Sequence, residues 1–124
     1  MLHLCCFSVS YQWRAPEEYK DDPLNEKIDV WSLGNNLYTL LTGLSPFYFI
    51  YDTPKIRKKI VNREIGFIDP RYQNRSFAEG KLVSAIKLCW AYEPDKRIDI
   101  FQLAQLLRTA NTENDRRRRK IAAK

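Results

Sequence analysis

Glycine is scarce in this chain. The four in 124 residues, at positions 34, 43, 66 and 80, are too scattered to form a loop that wraps a phosphate in its backbone amides. Histidine occurs once, as His3, and one imidazole cannot build a zinc site without cysteines at ligand spacing. There are three cysteines, Cys5 and Cys6 side by side and Cys89 far away. That count and spacing give neither a disulfide framework nor a metal motif, and they point to reduced thiols in a cytoplasmic or nuclear setting. No apolar run is long enough to span a bilayer. The apolar start, residues 2–9, is short and has no basic leader, so no secretory signal is expected.

What the chain does have is core material. Hydrophobic residues make up 44% and charged residues 29%, proportions that exclude a disordered polyelectrolyte. Three Trp, seven Tyr and six Phe supply large side chains to bury. The net charge of +6 is concentrated in one run, Arg116, Arg117, Arg118, Arg119 and Lys120, and without it the chain is close to neutral.

Apolar spacing predicts four helices. The first covers residues 29–41, where Val30, Leu33, Leu37, Leu40, Leu41 and Leu44 recur at helical intervals and Gly43 supplies a left-handed stop. Trp31, Gly34 and Tyr38 widen its apolar surface, which predicts burial on most sides. After an aromatic loop, a helix over residues 53–62 has Thr53 as N-cap, Pro54 at its first position, Ile56, Ile60 and Val61 inward, and Lys55, Arg57, Lys58 and Lys59 in water. A loop through Asp69, Pro70 and Arg71 follows. Ser76 and Glu79 then form a capping box for a helix that buries Leu82, Val83, Ile86 and Cys89. Asp99 caps the last helix, with Ile100, Leu103, Leu106 and Leu107 inward. From Thr109 onward the apolar period stops, and residues 109–124 are expected to be a polar, basic, disordered tail.

Three segments carry a resemblance: RAPEEY, DVWSLGNNLYTLLTGLSPFY and CWAYEPDKRIDIFQL. In that order and spacing they resemble the end of the activation segment, the long buried helix, and the final turn and helix of a eukaryotic protein kinase C-lobe. Ala15, Pro16 and Glu17 match the A-P-E element. Asp29, Trp31 and Gly34 stand in a D-x-W-S-x-G pattern, and Arg97 matches the family's late arginine. The resemblance implies a mainly α fold, the helical C-terminal part of a kinase-like C-lobe, as an incomplete domain over residues 10–108, with residues 1–9 unassigned.

What the family implies for single residues follows. Glu17 and Arg97 pair across the fold in a bidentate carboxylate–guanidinium contact. Asp29 meets the positive end of its helix dipole, either as a simple cap or as an anchor for a catalytic loop. Ser10 matches the hydroxyl residue that touches the catalytic aspartate in Ser/Thr kinases, and Trp13 an aromatic that shapes the substrate loop. Asn35 and Asn36 depart from the pattern, since the family usually carries aliphatic residues there. Buried and unpaired, each amide would cost about 1–3 kcal/mol.

The sequence has no G-x-G-x-x-G, no V-A-I-K lysine, no H-R-D with its asparagine and no D-F-G, the parts that hold ATP and metal and transfer the phosphoryl group. No catalytic, cofactor-binding or metal-binding residue is therefore assigned. ATP and magnesium are implied only for a complete parent kinase, and these residues alone are expected to be inactive. Trp13 and the Cys89–Trp90 pair resemble tyrosine kinases and tyrosine-kinase-like kinases. Ile98 in place of the usual proline, and the stretch from Tyr38 to Gly43, lean toward Ser/Thr kinases.

A non-catalytic interaction module is the competing reading, with the basic helix over residues 53–62 as docking surface. Expected partners are protein substrates or docking proteins, together with self-association through apolar surface left bare on the long helix. The run at residues 116–120 reads first as a solvated tail, with an import receptor or nucleic acid as alternative ligands; nucleic-acid and membrane partners are not expected.

Overall fold

The computed structural model describes residues 14–124, so Ser10, Trp13 and the leading segment over residues 1–9 lie outside the described residues. The fold is helical: α1 (Pro16–Tyr19), α2 (Lys27–Thr42), α3 (Thr53–Val61), α4 (Arg71–Arg75), α5 (Phe77–Cys89), a 3-10 turn (Pro94–Lys96) and α6 (Ile100–Ala122), with no strand among the described residues. α2 packs along α5; α4 and α6 lie against α5, and α1 against α3.

α2 begins two residues ahead of Asp29, and it stops at Gly43, whose φ of 73° lets its N–H reach the Thr39 carbonyl at 2.8 Å. It buries Val30, Trp31, Gly34, Asn35, Leu37 and Tyr38. Its opposite side is bare: Asn36 is exposed and Leu40 is 77% exposed. Full enclosure of this helix would need packing partners beyond the described residues. The core is aromatic at its centre, with the Trp90 ring 5.5 Å from Tyr38 and 6.4 Å from Trp31, within the range where ring edges and faces attract.

Local signals explain most boundaries. Asp52, not Thr53, is the residue before α3, while Ile56 and Ile60 are buried as the spacing predicts. Ser76 caps α5, its Oγ accepting from the Glu79 N–H at 3.2 Å and donating to Glu79 Oε1 at 3.0 Å. Glu79 thus bonds the cap hydroxyl, not the cap backbone. Asp99 and Gln102 cap α6 reciprocally, at 2.8 and 3.2 Å.

Three expectations are corrected. The segment after Asp69 is a short helix, α4, because the Asp69 carboxylate accepts from the Arg71 N–H at 2.9 Å and holds its guanidinium at 2.6 Å. Ile100 is 44% exposed, since it opens α6 before the helix meets the core. The largest difference concerns residues 109–124, which continue α6 to Ala122. Glu113 bridges Arg116 at 2.6 Å and Arg117 at 2.7 Å, one helical turn on, and Arg117 lies 4.2 Å from the Phe77 ring centre on α5. These contacts replace apolar periodicity as the support for the helix.

Candidate functional site

Glu17 sits on α1 one residue after Pro16, whose fixed φ and missing N–H suit a helix start. The turn is closed by the Ala15 N–H, which donates to Glu18 Oε2 at 2.7 Å. Ala15 and Pro16 are buried, so the Glu17 side chain points into the protein and is 3% exposed. Arg97 enters from the other end of the chain, straight after the 3-10 turn, with a side chain that is 0% exposed.

The two meet as a fork. Arg97 Nη1 donates to Glu17 Oε1 at 2.7 Å, and Nη2 to Oε2 at 3.1 Å. The other N–H groups of the guanidinium are also used: Nε donates to the Ala91 carbonyl at 2.9 Å, Nη1 to Lys27 O at 2.8 Å and Nη2 to Tyr92 O at 3.2 Å. Five donors thus meet five acceptors, the full capacity of a guanidinium. Trp31 covers the cation with its ring centre 5.2 Å from Cζ. Lys27 closes the circuit by donating from Nζ to the Arg97 carbonyl.

One side chain thereby ties α1, the start of α2 and the loop after α5 together across 80 residues of sequence. Charges so placed hold geometry. They leave no lone pair or proton in reach of a reacting group, so the arrangement is a latch and not an acid–base pair.

Of the sequence-predicted residues, Ala15, Pro16, Glu17, Trp31 and Arg97 come together here. Gly34 lies one turn further along α2, where a Cβ would stand 2.6 Å from Cys89 Cβ. Asp29 is exposed in the first turn of α2, which Glu26 precedes as the cap position. It lines an open cavity of about 390 Å³ together with Leu33, Asn36, Asp99 and Phe101.

Sequence reasoning missed Lys27, because neither of its links to Arg97 has a local signature. It allowed both Asn35 and Asn36 to be hydrogen-bonded, but named no partner for either. Asn35 is buried and accepts from the Trp90 indole N–H at 2.9 Å, whereas Asn36 faces outward. The polar departure is therefore paid for by a buried hydrogen bond. Replacing Asn35 with Leu should cost about 1–2 kcal/mol, since the indole N–H would lose its acceptor. Chemical denaturation followed by tryptophan fluorescence measures this, and a Leu variant as stable as the parent would refute it.

Cys89 is the free thiol of the core, and burial pushes its pKa up to about 11 despite the nearby Arg97. A thiol held so far from ionisation is a packing residue, not a nucleophile. Among the described residues no group of His, Cys, Asp or Glu is placed to hold a metal ion.

Comparison with known proteins agrees with this geometry. The protein kinase domain model matches residues 3–107, a span that takes in most of the leading segment left unassigned above. The chain is 37% identical over 99 residues to the serine/threonine-protein kinase RCK2 of Saccharomyces cerevisiae, covering 78% of this chain and 15% of that protein. It is 32% identical over 97 residues to the serine/threonine-protein kinase srk1 of Schizosaccharomyces pombe, covering 78% and 16%. Similarity to the serine/threonine/tyrosine-protein kinase HT1 of Arabidopsis thaliana is 33% over 98 residues, covering 79% and 24%. The twitchin kinase region of Caenorhabditis elegans superposes with a TM-score of 0.68 at 24% identity, over 81% of this chain and 18% of that one, which supports the fold.

The described helices thus define the C-terminal, helical part of a kinase C-lobe. The chain belongs to the protein kinase family, and it spans under a quarter of the length of each of these relatives.

Proposed function

We propose that these residues form the substrate-side scaffold of a Ser/Thr protein kinase, whose complete domain transfers the ATP γ-phosphoryl group to protein hydroxyls inside the cell. The observation that carries this reading is the Glu17–Arg97 fork, which clamps the A-P-E turn to the helical body. A turn held this way fixes where the segment leading into it must run, and positioning is most of what a phosphoryl-transfer enzyme supplies. The relatives described as serine/threonine kinases favour that acceptor over tyrosine.

The residues present do not fit ATP and magnesium. Gly34 and Gly66 lie against Trp90, Gly80 against the Gln73 carbonyl, and Gly43 ends α2, so none is free to cradle a phosphate. No acidic cluster among the described residues could take the metal. On this reading the 124-residue chain alone transfers no phosphoryl group. The test is incubation of the purified chain with radiolabelled ATP, magnesium and a general protein substrate. No transfer above background is expected, and clear turnover would overturn the reading.

A docking role is the second reading. It is favoured by α3, where Lys55, Arg57 and Lys58 are exposed beside the exposed aromatics Tyr48, Phe49 and Tyr51. Partner capture that is unaffected by removing ATP would support it.

A further inference from the structure

The far end of α6 has no part in the latch and carries most of the charge of the chain. Residues 108–124 hold Arg108, Arg116, Arg117, Arg118, Arg119, Lys120 and Lys124 against Glu113 and Asp115, which is seven minus two, or +5 of the total +6. This segment divides at Arg117. Up to there the helix is held: Glu113 grips Arg116 and Arg117, and Arg117 covers Phe77. Beyond it every residue from 118 to 124 is exposed, and no ion pair or ring contact among the described residues holds any of them.

Two physical facts then bear on what could read these cations. A helix turns about 100° per residue, so Arg118, Arg119 and Lys120 project to three different sides and present no united face to a phosphate backbone. Like charges also stand at helical neighbours, Arg116 with Arg119 and Lys120, and Arg117 with Lys120, and they weaken the helix there. Unwinding from Arg118 onward breaks no ion pair or ring contact among the described residues. Once extended, the same residues become a continuous basic strand with a side chain every ~3.3–3.6 Å.

We infer that the exposed end of α6 from Arg118 onward, with Arg118, Arg119 and Lys120 as its basic residues, is a nuclear import signal, read as an extended strand in the acidic groove of an import receptor after that end unwinds. The held part of the helix acts as a stalk that keeps the signal clear of the folded body. This inference is independent of the reading proposed for the latch, and it does not require kinase activity.

The experiment uses the full chain fused to a reporter too large to diffuse through nuclear pores, together with the purified adaptor that carries basic-signal cargo. The parent fusion should concentrate in nuclei at least several-fold over the cytoplasm and bind the adaptor, with a free basic-signal peptide competing. Changing Arg118, Arg119 and Lys120 together to Ala should abolish both, and changing the two arginines to Lys should preserve them. Because these side chains are exposed, the Ala variant should keep the helical circular dichroism of the folded body. Equal nuclear entry by the Ala variant would overturn the inference. So would a parent chain that ignores the adaptor yet binds duplex DNA or heparin with steep salt dependence, which would make the segment a polyanion-binding element instead.

Discussion

Replacing Arg97 with Met should remove about 3–5 kcal/mol of stability, enough to leave much of the population unfolded at room temperature. The reason is the company Arg97 keeps. Its removal strands the buried carboxylate of Glu17 and at the same stroke takes a donor from each of the carbonyls of Ala91, Lys27 and Tyr92. Changing Glu17 to Gln should cost less, because the amide oxygen still accepts one guanidinium N–H and the three carbonyls keep theirs. Pairing Glu17→Leu with Arg97→Met should recover part of the loss, since no charge is then left alone in the core. Recovery should stay incomplete because the Ala91 and Tyr92 carbonyls still lack the guanidinium donor. Urea unfolding followed by circular dichroism gives the ordering. If Arg97→Met lay within about 1 kcal/mol of the parent, or if Glu17→Gln proved the worse of the two, the latch would not be the structural centre argued for here.

The latch was legible only through the family resemblance, which its two halves carry in short patterns, A-P-E and the late arginine after Cys89 and Trp90, and which implies that the two pair. The caps at Ser76 and Asp99 were legible directly, being made by residues three positions apart. What stayed hidden depended on distant partners. Asn35 reads as an error in an apolar helix until Trp90, 55 residues later, is seen donating to it. The extension of α6 reads as a disordered tail because its support comes from Glu113 and from Phe77 on another helix, and neither contributes to apolar periodicity. Ile100 and Leu40 fall on apolar positions by spacing yet face outward, since a stripe of leucines and isoleucines does not say how far its partners extend. Ser10 and Trp13 match family positions by spacing and lie outside the described residues.

Gly34→Ala should destabilise the fold by about 2–3 kcal/mol, although the same change in an exposed helix would stabilise it by about 0.8–1 kcal/mol. The sign is set by where α2 and α5 cross. A Cβ at position 34 would stand 2.6 Å from Cys89 Cβ and 3.0 Å from two indole atoms of Trp90. The first of these is fixed to the backbone of α5 and cannot swing away, so the helices must part. That separation also pulls Trp90 from Asn35 and from the ring of Tyr38, and core packing leaves no slack to absorb it. A double change separates this cause from a general intolerance of the helix. Cys89→Ala keeps the offending Cβ and should not rescue Gly34→Ala, whereas Cys89→Gly removes it and should give a favourable coupling energy in a double-mutant cycle. Gly43→Ala is the contrasting case, because nothing lies within 4 Å of a Cβ there and only the φ of 73° opposes it. Its cost should be near 1 kcal/mol, the strain of placing a side chain in the left-handed region. Were Gly34→Ala to cost no more than Gly43→Ala, close approach of α2 and α5 would not be what requires glycine in the D-x-W-S-x-G pattern.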